Sequence, residues 1–214
     1  MTVQTISIPT VPTTSNGTDK NTVSPSDLDL FTWTLEQYQT LYKQGIFSGE
    51  DDVELIFGHI IKKAPINSPH ASSIRRLIKF FRARFPNDQY EINSELPVIL
   101  PNASQPKPDC FIAVYDDNMY EDRHPIAAEV FVVIEVSDTT LQKDRGLKMN
   151  MYGLAGIKEY WIVNLVNRQV EVHLAPDEEQ GIYTSVNTYK EDAVFNSPFA
   201  GEVAVNGFLP GKSD

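Results

Sequence analysis

Two short runs of apolar residues stand out in the middle of the chain, and each carries one acidic residue. The first run covers residues 110–115 and follows Asp109, while the second covers residues 130–136 and contains Glu135 near its end. Continuous apolar runs of this length are typical of strands that are covered on both faces. If the two strands pair antiparallel, the start of one lies beside the end of the other. We therefore expect Asp109 and Glu135 to meet at one edge of the sheet.

Two buried carboxylates in contact repel each other and lose hydration, so they need a compensating positive charge. A purely structural pair would require two basic partners, which these two strands do not contain. A divalent cation compensates the pair best, and oxygen donors favour Mg²⁺ or Mn²⁺ over zinc. The four histidines are scattered along the chain, and the single cysteine, Cys110, is predicted to be a small buried residue.

A helix is predicted directly after the second strand. Thr139 or Thr140 can cap its N-terminus, and Gly156 is typical of a C-terminal stop. Three apolar residues recur at helical spacing and are expected to pack on the sheet: Leu147, Met151 and Leu154.

Polar residues of this helix are spaced so that they share one face. Asp144, Lys148 and Tyr152 lie at i, i+4 and i+8. Lys148 can thus approach the two carboxylates, and two acids, a lysine and a metal ion form a constellation for phosphodiester hydrolysis. Asp144 either positions Lys148 or forms an ordinary helix salt bridge with it, and Tyr152 is predicted to be a core residue.

Upstream, the pattern predicts a tail, a helix and a β-hairpin. Residues 1–30 are rich in Thr, Ser, Pro and Asn, which favours a disordered tail ahead of one domain over residues 31–214. A capping box at residues 34–37 opens a helix that ends at Gly45. The hairpin joins residues 53–56 and 59–61 through a Phe-Gly pair.

A long amphipathic helix is predicted over residues 69–85. Its apolar face consists of Ile74, Leu77, Ile78 and Phe81, and its basic face includes Arg75, Lys79 and Arg82. The basic face is either a phosphate-contacting surface or an ordinary solvated face. His70 either contacts a phosphate or caps the start of the helix.

Further strands complete the pattern. A strand over residues 89–94 is expected to continue through residues 95–97 as a sheet edge, and a loop over residues 101–108 leads to Asp109. The other predicted strands cover residues 159–165, 170–174, 182–186 and 202–205.

Composition sets outer bounds on the function. A chain of 214 residues with 41% hydrophobic and 22% charged residues fits a soluble globular domain. One cysteine, no membrane-length apolar run and no signal-peptide pattern favour the cytoplasm. The net charge of −11 opposes nucleic-acid binding, because DNA affinity depends on neutralising phosphates. A bound metal ion would offset part of that charge.

Taken in order, these residues resemble the PD-(D/E)XK nuclease superfamily, and most of all a branch of restriction endonucleases of unknown specificity. The matching residues are Pro108, Asp109, Glu135, Val136, Ser137, Asp144, Lys148, Tyr152 and residues 156–161. The resemblance implies an α/β (α+β) fold with a restriction-endonuclease-like αβββαβ core, a mixed central sheet flanked by helices, and here a strand-rich C-terminal extension. The elements predicted from periodicity have this order. Ser137 stands where the superfamily motif has its lysine, and Lys148 of the following helix can replace it.

The resemblance also implies roles for single residues. Asp109 and Glu135 would hold Mg²⁺ or Mn²⁺ together with the backbone carbonyl of Val136, and Lys148 would orient or deprotonate the attacking water. An acid at the position of Glu54 joins the active site in the family. The alternative for Glu54 is a solvent-facing residue in an acidic patch with the two preceding aspartates.

Three functions follow as hypotheses. The first is a Mg²⁺-dependent DNA endonuclease, with no membrane partner and with C-terminal strands that could support a homodimer. The second is a non-catalytic nucleic-acid-binding or interaction module on the same fold, which Ser137 and the net acidity favour. The third is a metal-dependent hydrolase of RNA or nucleotides, which shares the chemistry with the first.

Overall fold

The computed structural model describes residues 30–47 and 51–211, so the predicted disordered tail lies, apart from its last residue, outside the described residues. The helices and strands are, in chain order, α1 (Leu35–Lys43), β1 (Val53–Ile56), β2 (His59–Lys62), α2 (Ser68–Arg84), β3 (Tyr90–Asn93), β4 (Cys110–Val114), β5 (Val130–Ser137), α3 (Leu141–Lys143), a π-helical turn (Asp144–Lys148), α4 (Met149–Leu154), β6 (Glu159–Asn164), β7 (Gln169–Asp177), β8 (Ile182–Lys190), β9 (Val194–Ser197) and β10 (Gly201–Ala204). None of the described helices has the length and apolar character that a membrane-spanning segment needs.

Six strands form one mixed sheet in the order β3-β4-β5-β6-β7-β8. Only β5 and β6 are parallel, and the other neighbours in this sheet are antiparallel. A parallel pair needs a crossover connection, which the continuous α3–π–α4 segment provides. The order α2-β3-β4-β5-helix-β6 confirms the predicted αβββαβ core. Strands β7 and β8 extend the sheet, and β9 and β10 form a separate hairpin.

The two faces of the sheet are covered by different elements. On one face, the apolar side of α2 packs through Ile74, Leu77 and Phe81 against β4, β5 and β6. Trp161 is fully buried there, with its ring 5.9 Å from that of Phe81 and 5.2 Å from that of Phe195. The burial pattern therefore confirms the apolar face predicted for α2.

The opposite face is covered by the crossover helix and the β1–β2 hairpin. Met151 and Tyr152 pack there against β4, β5 and β6, and Ile56 belongs to the same core cluster. A close approach at Gly153 fixes the helix against the turn between β7 and β8. A side chain there would place its Cβ only 2.8 Å from the backbone of Gly181. Only glycine permits this contact, so it sets the position of the whole crossover.

Local signals at element ends were predicted well. Thr34 and Gln37 form the capping box of α1, and Gly156 ends the crossover helix with a φ of +71°. Phe57 and Gly58 both have positive φ, which is the conformation of the tight turns that join paired strands.

Two predictions about the elements were wrong. Residues 95–97 do not extend β3, which ends at Asn93, because Glu95 adopts a φ of +54° that no strand accommodates. Leu147 is 37% exposed rather than packed on the sheet, because the π-helical turn directs Asp144 and Lys148 inward instead. Strand β9 was not predicted at all.

Candidate active site

The paired ends of β4 and β5 bring the two predicted carboxylates together. Cys110 lies opposite Ile134, so the preceding Asp109 and the following Glu135 are neighbours across the two strands. The backbone N–H of Val136 donates a hydrogen bond of 2.8 Å to Oδ2 of Asp109. In an extended strand the N–H and carbonyl of one residue point to the same side. The carbonyl of Val136 therefore also faces the side of β5 on which Asp109 lies.

Glu135 is held by two donors from the crossover helix. Nζ of Lys148 and the hydroxyl of Tyr152 each lie 2.8 Å from Oε1 of Glu135, and all three residues are buried. Lys148 thus reaches the carboxylates as predicted. Tyr152 is the core residue that the sequence indicated, but its hydroxyl also contacts the site, which the sequence did not predict. Both donors use Oε1, so neither of them occupies Oε2.

Glu54 lies inside the same cluster and is fully buried, which rules out the solvent-facing alternative. Its Oε1 is 2.8 Å from Nζ of Lys143 and 3.9 Å from Nζ of Lys148, and its Oε2 accepts a hydrogen bond from the backbone of Lys107. Strand β1 therefore contributes a third carboxylate beside Asp109 and Glu135.

Basic groups from outside the strands surround Asp109. Nε2 of His70 lies 3.0 Å from its Oδ2, and Nζ of Lys63 lies 3.9 Å from its Oδ1. His70 does not cap α2, since the side chain of Asn67 does so by accepting from the backbone of His70. The sequence argument that two buried acids would lack basic partners was thus incomplete. The strands supply none, but neighbouring elements supply several.

Lys63 and Lys143 were not predicted to belong to the site. The contact between Lys143 and Glu54 joins residues 89 positions apart, and no periodicity within one segment can indicate such a pairing.

Asp144 was predicted either to position Lys148 or to form a salt bridge with it, and its contacts differ from both predictions. Among the described contacts it forms no ion pair with Lys148, and its Oδ2 instead accepts a hydrogen bond of 2.7 Å from the hydroxyl of Thr140.

The charges of the cluster shift the protonation of its members. Burial, together with the nearby acids Asp109, Asp144 and Glu54, raises the pKa of Glu135 to about 7 although Lys148 opposes this. For Lys148, burial lowers the pKa, but the surrounding carboxylates outweigh it and raise the pKa above its ordinary value. Lys148 is therefore protonated at neutral pH.

The outer members of the cluster are more completely compensated. Burial raises the pKa of Asp109, yet His70 and the neighbouring lysines outweigh it and hold the pKa below its usual range. Burial also raises the pKa of Glu54, but Lys148 and Lys143 outweigh burial, so the pKa lies below its ordinary value. In His70, contact with Asp109 outweighs burial and raises the pKa. Asp144 is an exception, because burial raises its pKa although Lys148 and Thr140 oppose this.

The predicted substrate-contacting residues separate into two groups. His70 lies in the cluster, beside Asp109. Arg75 and Lys79 are exposed on the outer face of α2, on the side away from the sheet, and they do not line the cavity at the carboxylates.

A small cavity of about 30 Å³ lies between the carboxylates and the basic groups, which is room for an ion or a few waters. Asp109, Glu135 and Glu54 border it, and carboxylate oxygens are donors that Mg²⁺ and Mn²⁺ prefer. In their present positions, no three His, Cys, Asp or Glu side chains of the described residues are close enough to hold an ion. The donor types and the cavity fit a small divalent cation, provided that the contacts with the lysines rearrange.

The fold is similar to that of a solved protein whose description names a nuclease. A crystal structure described as a "putative nuclease belonging to DUF820" from Anabaena variabilis ATCC 29413 shares the fold, with a TM-score of 0.61 at 16% identity. The alignment covers 82% of this chain and 96% of that chain. No curated protein matches this sequence.

Residues 35–205 match the family Uma2, whose description reads "Putative restriction endonuclease". Because this match spans most of the chain, the protein belongs to that family. The resemblance to the nuclease superfamily inferred from the sequence is thereby confirmed.

Proposed function

We propose that the protein is a Mg²⁺- or Mn²⁺-dependent endonuclease that hydrolyses phosphodiester bonds of DNA. The observation that carries the proposal is the meeting of Asp109, Glu135 and Lys148 at the end of β4 and β5, with Glu54 beside them. A cluster with perturbed pKa values at a small cavity is typical of a site that acts on charged groups. The family description points to DNA as the substrate.

Asp109 and Glu135 would hold the cation, together with the carbonyl of Val136 and with Glu54. When bound, the ion polarises the scissile phosphate and lowers the pKa of the attacking water. The water oxygen bonds to phosphorus as the bond to the leaving sugar oxygen breaks, and one water proton ends on that sugar oxygen.

Lys148 is assigned to charge stabilisation rather than to proton removal. Its raised pKa keeps the ammonium protonated at neutral pH, so it cannot accept the proton of the water. A protonated lysine can instead donate a hydrogen bond to the phosphoryl oxygens, where negative charge develops in the transition state. Tyr152 would keep Oε1 of Glu135 in place by its hydrogen bond of 2.8 Å.

A second candidate is a non-catalytic binding module on the same fold. One observation favours it: Lys63, His70, Lys143 and Lys148 already compensate the acids without a metal ion. Such a protein would need no cation and would cleave nothing.

Cleavage of supercoiled plasmid in the presence of Mg²⁺ or Mn²⁺ separates the candidates. We expect nicking by the wild type, its loss in Asp109→Asn, and its suppression by EDTA. Parallel incubation with RNA tests the substrate, since cleavage of RNA alone would contradict the DNA assignment. Absence of cleavage in both wild type and variant, on both nucleic acids, would favour the binding module.

A further inference from the structure

We propose that the outer face of α2 binds the phosphate backbone of duplex DNA beside the cleavage site, a role that rests on the proposed function. The face is defined by four exposed cations, Arg75, Arg76, Lys79 and Arg82. The proposal concerns backbone contacts alone and therefore assigns no sequence preference to this face.

The charge of α2 contrasts with that of the chain. The helix holds five of the 18 Lys and Arg residues and none of the 29 Asp and Glu residues. Arg84 is engaged within the described part of the chain, since it donates hydrogen bonds to the carbonyls of Ala200 and Glu202. The other four cations form no ion pair with any described residue. In a protein of net charge −11, this leaves on one helix a basic surface that the described acidic residues do not compensate.

The position of α2 connects this surface to the site. The helix begins at the carboxylate cluster, where Nε2 of His70 lies 3.0 Å from Asp109. With a rise of about 1.5 Å per residue, Arg75 lies about 8 Å along the helix axis from His70. Because Ile74, Leu77 and Phe81 fix the opposite side of the helix to the sheet, the basic face is held rigidly in place.

The dimensions of the surface suit a DNA backbone. Arg75 and Arg82 are separated by about 10 Å along the helix axis. An equal length of B-DNA carries about three phosphates on each strand, so the four cations meet a similar number of charges. This local complementarity also offers a way for an acidic protein to bind a polyanion.

The salt dependence of binding tests the proposal, because each neutralised phosphate of B-DNA contributes about −0.9 to the slope of log K against log[salt]. We would measure fluorescence anisotropy of a labelled duplex in EDTA, where cleavage cannot occur. The test variant is Arg75→Gln/Lys79→Gln. The matched control, Lys43→Gln/Lys158→Gln, removes the same charge from exposed positions outside α2. Thermal unfolding checks that both variants fold like the wild type.

We expect the slope to become less steep by about 2 in the α2 variant and to stay unchanged in the control. Equal slopes in both variants, with a wild type that binds and cleaves DNA, would contradict DNA binding by the α2 surface and leave the proposed function intact. An effect on single-stranded RNA but not on duplex DNA would also overturn it. A wild type that neither binds nor cleaves DNA would instead contradict the proposed endonuclease function, and with it the DNA-binding role of the α2 surface.

Discussion

Two buried glutamates on the same face of the sheet are paired with cations from the same helical turn, yet they differ in their surroundings. Glu135 of β5 contacts Lys148, and Glu171 of β7 contacts Arg145. Both cations belong to the π-helical turn, and the register places both glutamates opposite Ile162 of β6. The two glutamates thus occupy equivalent strand positions and contact cations from the same helical turn.

Both carboxylate oxygens of Glu171 accept hydrogen bonds. Arg145 contacts both of its oxygens, at 2.7 and 2.8 Å, and the amides of Asn164 and Gln169 also donate to it. Burial raises its pKa, but these donors outweigh it and lower the pKa. This is the pattern of a structural ion pair.

Both donors of Glu135 contact the same oxygen, and burial, together with three neighbouring acids, raises its pKa to about 7 although Lys148 opposes this. Contact with a cation is therefore common to both glutamates. Glu135 differs in that burial among like charges is not fully compensated, and such perturbed groups are typical of functional sites.

The largest expected difference is in nuclease activity. Glu135→Gln should reduce plasmid nicking by about 100-fold or more, a loss typical of a charge-stabilising group. Glu171→Gln should retain most of the activity, because Glu171 does not border the cavity. Initial rates at saturating Mg²⁺ provide the measurement. Equal losses in the two variants would remove the distinction between the two glutamates.

The loss of folding stability should be larger in Glu171→Gln than in Glu135→Gln, which is the reverse of the order expected for activity. Glu171→Gln should lower the free energy of unfolding by about 1–3 kcal/mol, because buried amides lose a charged acceptor. Glu135→Gln should lower it less at neutral pH, since it also relieves repulsion among the acids. Urea unfolding of both variants in EDTA measures the two values. A larger loss in Glu135→Gln would contradict the assignment of the crowded site.

The ionisation of Glu135 and the ionisation of Glu171 should change the folding stability in opposite directions. The pKa of Glu135 is raised from 4.5 to about 7, so its ionisation destabilises the folded protein as the pH rises through that window. The pKa of Glu171 is lowered, so its contribution is present above its unfolded pKa and disappears only as the pH falls through the lower folded value.

Unfolding in EDTA from about pH 5 to about pH 8 tests this contrast. Relative to Glu135→Gln, the wild type should lose stability up to about pH 7, whereas its advantage over Glu171→Gln should stay constant. A constant difference between the wild type and Glu135→Gln would contradict the raised pKa.

The smallest effect is expected at Tyr152. Tyr152→Phe removes one buried hydrogen bond to Glu135 and should lower the free energy of unfolding by about 0.5–1.5 kcal/mol. Tyr183→Phe is a matched control, since it removes a buried hydrogen bond of 2.8 Å to the carbonyl of Ile157. Only Tyr152→Phe should also reduce nicking. A reduction of similar size in the control would assign the effect to general destabilisation.

The sequence predicted those features that depend on local pattern. The apolar runs located β4 and β5, and their antiparallel pairing followed from strand geometry, which brought Asp109 and Glu135 together. Lys148 was located by helical spacing, although the same spacing misplaced Leu147. A π-helical turn changes the phase of a helix without a residue signal that periodicity detects.

The features that the sequence left open depend on contacts between distant segments. Glu54 remained undecided because its burial results from packing of the β1–β2 hairpin beside the crossover helix. Lys63 and Lys143 resemble other surface lysines until the fold places them at the carboxylates. Glu171 and Arg145 were not singled out for the same reason.

Titration calorimetry with Mg²⁺ and Mn²⁺ tests the central claim most directly, because it measures the carboxylate site without relying on cleavage. We expect saturable binding by the wild type and by Glu171→Gln, and its loss in Asp109→Asn and Glu135→Gln. Binding that persists in both of the latter variants, or a wild type that binds neither ion at millimolar concentration, would contradict the assignment of Asp109 and Glu135 as the metal site.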